Sequence, residues 1–238
     1  ATVRMAISSG DLDGARSEIK QFVQLHGQTA AALEALSWLA RAELGAGALD
    51  AAFEAARQTL KSADILLKQR KLDAEPHLPM AVGAAYEVQS QVLDRRNQKS
   101  EAVLLLQTAL RRWANTSISP RLRKNLNLLT LEGKPAPTLS AREWLGTPPQ
   151  SIASLRGKVV LIFFWAHWCP DCKAEAPVLQ QLAKIFGLKG LVILAPTQRY
   201  GYTARSENVS PEEEKAYIER VFDQFYAQIP QQGVSLDR

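Results

Sequence analysis

Residues 158 to 187 constrain this chain more than any other stretch. Lys158 leads into Val159, Val160, Leu161, Ile162, Phe163, Phe164 and Trp165, an unbroken run of aliphatic and aromatic side chains. Such a run predicts a strand over 158–165 buried on both faces, as in a parallel sheet. After Trp168, Cys169, Pro170, Asp171 and Cys172 the period changes. Pro177, Val178, Leu179, Leu182, Ala183, Ile185 and Phe186 recur at helical spacing, which predicts one helix over 170–186 with these residues on a single face. Leu191 to Ala195 then reads as a second buried strand within 190–196, with Gly187 as the helix C-cap between them, giving a βαβ unit.

Both cysteines therefore sit where a strand ends and a helix begins. Unpaired amides and the positive end of the helix dipole favour an anion there, so a thiol ionises more easily. The thiolate is the nucleophile of thiol–disulfide exchange. With two residues between them, the second sulfur can reach back to the first and resolve a mixed disulfide internally. Pro170 suits a first helical turn, because its missing amide would be unpaired anyway.

Trp165-Ala166-His167-Trp168-Cys169-Pro170-Asp171-Cys172 resembles the thioredoxin superfamily signature. Its surroundings are similar to the TlpA/ResA branch, bacterial extracytoplasmic thiol–disulfide oxidoreductases that include cytochrome c maturation reductases. Gly133-Lys134-Pro135-Ala136-Pro137 resembles that branch's opening motif, and Ser154-Leu155-Arg156-Gly157-Lys158-Val159-Val160 the run into its central strand. Cys172-Lys173-Ala174-Glu175-Ala176-Pro177 matches its Cys, Glu and Pro spacing. The resemblance covers residues 131 to 238. It implies a Cys169–Cys172 redox disulfide, with Cys169 the exposed attacking thiolate, Cys172 the buried resolving thiol and Glu175 a proton-handling acid. Trp168 would shield the sulfurs and Pro170 would open the helix. Asp171 would set negative charge beside the thiolate, leaving Cys169 less acidic than in strongly oxidising relatives and favouring a reductant. Phe163 stands where thioredoxin proper keeps a buried acid. The resemblance also implies a cis-proline, two more strands and a last helix. The chain reaches Arg238 before these, and Pro230 in Gln-Ile-Pro-Gln-Gln does not resemble the cis-proline motif, so a domain truncated after its second helix is expected.

Residues 1 to 128 read as all-helical. Gly10-Asp11-Leu12-Asp13-Gly14-Ala15, Gly47-Ala48-Leu49-Asp50-Ala51-Ala52 and Asn97-Gln98-Lys99-Ser100-Glu101-Ala102 align as three helix–turn–helix corners, with a small residue at 15, 52 and 102. These corners look like degenerate tetratricopeptide repeats, whose stacked pairs bind peptides or partner proteins on a concave face. An irregular helical bundle stays open beside that reading. Pro76-His77-Leu78-Pro79-Met80 is expected to break any helix, with His77 a surface or packing histidine. Arg111, Arg112, Arg121, Arg123 and Lys124 gather around Trp113 as a solvated helix end or a docking surface. Gly133, Pro135, Pro137, Gly146, Pro148 and Pro149 punctuate 129–150, read as a linker and extended lead-in, with Leu139, Trp144 and Leu145 covering a sheet edge. The expected architecture is thus two-domain: a helical repeat array over 1–128 and a thioredoxin-like α/β domain over 151–238. In the latter, Thr197 to Asn208 forms a loop near the strand ends, where Arg199, Tyr200 and Tyr202 read either as substrate contacts or, as is usual for such loop residues, as simply solvated. Ser210-Pro211-Glu212-Glu213 then opens a helix reaching Tyr226.

The net charge of +5 in 238 residues is a mild excess spread over helices, without the basic stripe and groove-reading elements nucleic acid demands. No run of about eighteen apolar residues exists to span a membrane. The two cysteines both lie in the motif, so no other disulfide is possible. A zinc site would need two further ligands, and only His26, His77 and His167 are on offer. The peroxiredoxin pattern, with Thr or Ser three residues before its cysteine, meets Ala166 here. No metal and no cofactor are expected. The partners expected are a protein thiol or disulfide substrate, a protein on the helical array and a membrane-bound electron donor, in the periplasm or cell exterior, with any export signal or anchor lying before Ala1. Two further readings stay open: a merely structural disulfide, and a scaffold whose thioredoxin-like part is degenerate or regulatory.

Overall fold

Three left-handed corners organise the N-terminal half. In a computed structural model, which describes residues 2–139, 143–145, 151–204, 206–229 and 234–237, helix α1 (Thr2–Ser8) turns into α2 (Leu12–His26). In the same way α3 (Ala30–Gly45) turns into α4 (Leu49–Leu66), and α5 (His77–Arg95) into α6 (Lys99–Arg112). α7 (Ser119–Thr130) follows. Gly10, Gly47 and Asn97, the aligned first residues of the three corners, have φ of 81°, 80° and 57°. Glycine adopts that region freely, and asparagine is among the side chains that tolerate it best. After each, the next amide reaches back five residues: Asp11 to Ala6 and Ala48 to Glu43 at 2.9 Å, Gln98 to Leu93 at 2.8 Å. That bond closes a Schellman turn and uses an otherwise orphaned carbonyl. Ala15, Ala52 and Ala102 are each 0% exposed, one turn inside the second helix of their pair, where a small side chain lets the helices approach.

Pro76 and Pro79 do not break a helix; they begin one. Pro76 is the N-cap of α5, and Pro79 falls in its first turn, where no amide is required. The Glu75 carboxylate accepts the amides of His77 and Leu78 at 2.9 and 2.7 Å, and His77 Nδ1 lies 2.5 Å from Glu34 Oε2. Two apolar clusters fill this unit. One holds Leu39, Leu44, Ala56, Val88 and Val92, the other Leu78, Val82, Leu106, Trp113 and Leu122. The basic residues near Trp113 are partly engaged: Arg112 bonds Asp64 at 2.6 Å and lies over the Trp113 ring.

Glu87 on α5 ties three helices together. Arg121 Nε of α7 donates to its carboxylate at 2.8 Å, Asn125 Nδ2 of α7 lies at 3.4 Å and the Arg41 guanidinium of α3 at 3.5 Å. Burial works against this charge, but Arg121, then Arg41 and Asn125, outweigh it and hold the carboxyl below its usual range. A depressed carboxyl stabilises the fold above its unfolded pKa and loses that contribution as pH falls through the folded value. The helical melt should therefore drop in temperature between about pH 5 and pH 3. Glu87→Gln should cost about 1–3 kcal/mol at neutral pH and flatten that acid slope, read by far-ultraviolet circular dichroism. An unchanged slope would remove Glu87 as its source.

The chain divides into two compact units, Ala1–Pro135 and Ala136–Arg238. The second runs β1 (Trp144–Leu145), β2 (Val159–Ile162), α8 (Pro170–Ala174), α9 (Ala176–Phe186), β3 (Leu191–Leu194), β4 (Thr197–Gln198), β5 (Tyr202–Thr203), β6 (Ser206–Glu207), α10 (Pro211–Phe225) and β7 (Val234–Asp237). β2 and β3 are parallel, with Val159 opposite Leu191 and Ile162 opposite Leu194. Beyond the regular ladder, Phe163 and Trp165 still donate to the carbonyls of Leu194 and Pro196. β7 lies between β4, parallel, and β1, antiparallel, while β5 and β6 form a small hairpin.

Several expectations are corrected here. The run 158–165 is not buried on both faces: Val159 is 70% and Phe164 68% exposed. The doubly buried strand is β3, whose Leu191 and Ile193 face a cluster with Trp165, Leu179, Ile218 and Tyr226, while Val192 and Leu194 face Leu155 and Val160. The predicted apolar face of 170–186 is only partly inward, since Leu179 and Ala183 are buried but Val178, Ile185 and Phe186 are exposed. Gly187 closes α9 in a right-handed conformation, and the left-handed residue is Gly190, φ 97°, after one more 3₁₀ turn. Trp144 and Leu145 do more than cover an edge, because they are themselves a strand. A strand the sequence did not announce, β7, follows α10 and pairs on both sides. α10 itself opens with Ser210 and Glu213 in a reciprocal capping box. Ala1, Gly146, Pro148, Pro149, Pro230 and Arg238 lie outside the described residues.

Candidate active site

The end of β2 turns sharply before the cysteines. The Cys169 amide donates to the Ala166 carbonyl at 3.1 Å, so His167 and Trp168 are the corner residues of a turn. His167 points inward and is fully buried; Trp168 points outward and is 49% exposed. Cys169 is the N-cap of α8, Pro170 its first residue, and Cys169 and Cys172 form a disulfide with their Cα atoms 5.3 Å apart. The Cys172 amide donates to Cys169 Sγ at 3.1 Å. Cys169 and Cys172 are both half-buried, so the expected contrast of an exposed and a buried thiol is not seen; Cys172 differs in packing against the cluster that holds Leu179 and Trp165.

The expected continuous helix is broken after Ala174. Glu175 closes α8 and caps α9, and Pro177 occupies the first turn of α9. A proline there has no amide to extend the α8 ladder, and its ring crowds the carbonyl of residue 173. The cysteines therefore sit on a five-residue helix, with a smaller dipole than one long helix would present. Glu175 and Asp171 are both exposed, and the Glu175 carboxylate makes no hydrogen bond among the described residues. The structure thus brings Cys169, Cys172, Trp168, Pro170 and Asp171 together on one turn, with Glu175 at the kink beside them.

Beneath that turn lies a group that the sequence reading missed. His167 Nε2 is 3.2 Å from Glu214 Oε1, and both side chains are shut from solvent. Glu214 also accepts the amides of Tyr200 at 2.5 Å and Gly201 at 2.9 Å. The rings of Tyr200, Tyr202 and Tyr217 stand edge-on around His167 at 5.3–5.6 Å. Tyr200 also meets Trp168 edge-on at 5.5 Å. Burial holds His167 below its usual range, against the pull of Glu214. Burial first, then Tyr202 and Glu214, push the Tyr200 hydroxyl up. Glu214 was hidden in the run Glu212-Glu213-Glu214, where every member equally suits a helix start. Arg199, read as a substrate contact or a solvated loop residue, is engaged with Glu143 at 2.5 Å and lowers that carboxyl. Among the described residues no group of three or more His, Cys, Asp or Glu is placed to hold a metal ion, and no helix is long and apolar enough to cross a membrane.

A family comparison falls mainly on this unit. Residues 133–198 match the AhpC/TSA family. The chain is 37% identical over 78 residues to the thiol:disulfide interchange protein DsbE of Pseudomonas fluorescens biotype C, covering 33% of this chain and 38% of that protein. It is 36% identical over 75 residues to the thiol-disulfide oxidoreductase ResA of Oceanobacillus iheyensis, covering 30% and 39%. It is 51% identical over 39 residues to the soluble secreted antigen MPT53 of Mycobacterium tuberculosis, covering 16% and 22%. The chain thus spans under two-fifths of the length of these relatives, and no solved structure matches it. The C-terminal unit carries an AhpC/TSA-type thioredoxin-like domain, similar to proteins named as thiol–disulfide oxidoreductases.

Proposed function

We propose that the protein is a thiol–disulfide oxidoreductase working as a reductase of protein disulfides through Cys169 and Cys172. The observation that carries this is the pair itself: a half-buried disulfide at a strand-to-helix turn, with Cys169 at the helix start and Cys172 one turn on against the core cluster. The Cys169 thiolate attacks a substrate disulfide and displaces one substrate thiolate. Cys172, as thiolate, then attacks Cys169 Sγ, releases the second substrate thiolate and closes the internal disulfide. Two electrons pass from the dithiol to the substrate, and the two cysteine protons end on the substrate thiols by way of solvent. In the reduced form the Cys172 amide, already aimed at Cys169 Sγ, favours the thiolate there. Glu175 serves as the exposed acid that exchanges the Cys172 proton, and Trp168 gives an apolar contact to the substrate.

The helical unit, in the tetratricopeptide-like reading, recruits a protein partner. A groove of about 430 Å³ between α2 and α3 supports this, with Ile19, Leu33, Leu36 and Leu39 on its floor and Arg16, Lys20 and Gln24 on its rim. A membrane-bound donor returns electrons to the disulfide, and the setting is periplasmic or otherwise outside the cytoplasm, in keeping with a relative named as secreted.

Equilibration with glutathione tests the reading. The Cys169–Cys172 potential is expected below that of the glutathione couple, with insulin reduced by the dithiol form. A potential above glutathione would make it an oxidant, and a pair that does not cycle would leave a scaffold with an inert staple.

A further inference from the structure

One carboxylate holds two things that flank the reactive sulfur. Through His167, Glu214 fixes the inward corner of the Ala166–Cys169 turn. Through the amides of Tyr200 and Gly201 it fixes the loop whose Tyr200 ring stands against Trp168, the outward corner of the same turn. A carboxylate only accepts, so Nε2 of His167 carries the hydrogen and Glu214 receives three donors. The imidazole is walled by Tyr200 and Tyr202 from the loop and Tyr217 from α10, with the Lys173 charge acting from α8. Burying an imidazole and a carboxylate together is a poor way to add stability, since an apolar pair of equal volume commonly does as well or better. What the arrangement supplies instead is direction: α10, the loop and the active-site turn are locked to one another by bonds of fixed geometry.

We propose that His167 and Glu214 are a positioning pair for the dithiol site, holding the Cys169 turn and the Trp168–Tyr200 wall in register so that a protein disulfide docks in line with the attacking sulfur. The proposal rests on the oxidoreductase reading above. It adds that the pair acts on protein substrates through placement, while electrons and bonds stay with the two cysteines. Small disulfides that need no docking wall should be nearly indifferent to it.

The test uses the full chain with His167→Gln and Glu214→Gln. For insulin reduction, kcat/KM should fall about ten- to a hundredfold, the loss expected when a reacting group is displaced by a fraction of an ångström to one ångström. Exchange of the reduced dithiol with the small aromatic disulfide DTNB should change by less than about threefold. Equal losses with both substrates, or insulin kinetics like the parent's, would overturn the proposal. Should the variants fail to fold, nitrogen-15 spectra of the unaltered protein decide. The His167 ring and the Tyr200 and Gly201 amides should shift together between disulfide and dithiol forms, with His167 as the Nε2–H tautomer, and spectra identical in the two forms would overturn it. A parent chain that exchanges with neither insulin nor DTNB would refute the oxidoreductase reading itself, a result separate from variants that leave an active parent unchanged.

Discussion

Cys169→Ser is expected to abolish disulfide reduction, by about a thousandfold or more, whereas Cys172→Ser should keep the first chemical step and lose the second. The asymmetry follows from placement. Cys169 stands at the turn with Trp168 beside it, and its Sγ receives the Cys172 amide. Cys172 lies a turn along α8, half-buried like Cys169 but packed on the cluster that holds Leu179 and Trp165, which leaves Cys169 at the helix start as the better-placed attacker. With Cys172 removed, the mixed disulfide between Cys169 and a substrate has no internal thiol to resolve it and should accumulate, visible as a covalent adduct on a non-reducing gel that dithiothreitol dissolves. Turnover in both variants should be near background, yet only Cys172→Ser should trap partners. Adduct formation by Cys169→Ser and none by Cys172→Ser would reverse the two roles.

Which parts of this were legible without coordinates depended on how local the determining physics is. The corners at Gly10, Gly47 and Asn97 were readable as turns because a left-handed residue followed by a helix start is written in adjacent positions, and all three have a positive φ. The capping box at Ser210 and Glu213 was partly readable for the same reason. The cysteines at the end of an apolar run likewise needed only neighbours in sequence. What escaped was non-local. The inward turn of Glu214, rather than Glu212 or Glu213, depends on where Tyr200 and Gly201 come to rest, fourteen and thirteen residues away. β7 pairs with Trp144 and Leu145 across most of the unit, a contact no periodicity announces. The break at Glu175 is different, because Pro177 announced it. A helix read from apolar spacing alone ran through a residue that cannot complete the ladder.

Trp165→Ala should be the most damaging single core change in the C-terminal unit, costing about 3–5 kcal/mol. The residue is 3% exposed and its ring lies 4.6 Å from that of Tyr226, whose hydroxyl burial pushes up to about 12. Its indole Nε1 donates to the Ala195 carbonyl at 3.0 Å, and its own carbonyl accepts the Thr197 hydroxyl at 2.7 Å. One side chain thus joins the end of β2 to the end of β3 and to the base of α10. A loss of that size is a large share of what holds a domain folded, and it should appear as an early melting step with faster hydrogen exchange in α10. Trp165→Phe separates the two contributions. The phenyl ring keeps much of the packing on Tyr226 but leaves the Ala195 carbonyl unpaired, an effect of about 1–3 kcal/mol. If both variants melt like the parent, the ring is not what couples the strands to α10. If the phenylalanine variant is as damaged as the alanine one, the indole hydrogen bond outweighs the packing. The same change should reach the dithiol, because the Trp165 backbone leads directly into the Ala166–Cys169 turn. A strand end free to shift should blur the placement that His167 and Glu214 hold from the other side, slowing insulin reduction more than it slows exchange with a small disulfide.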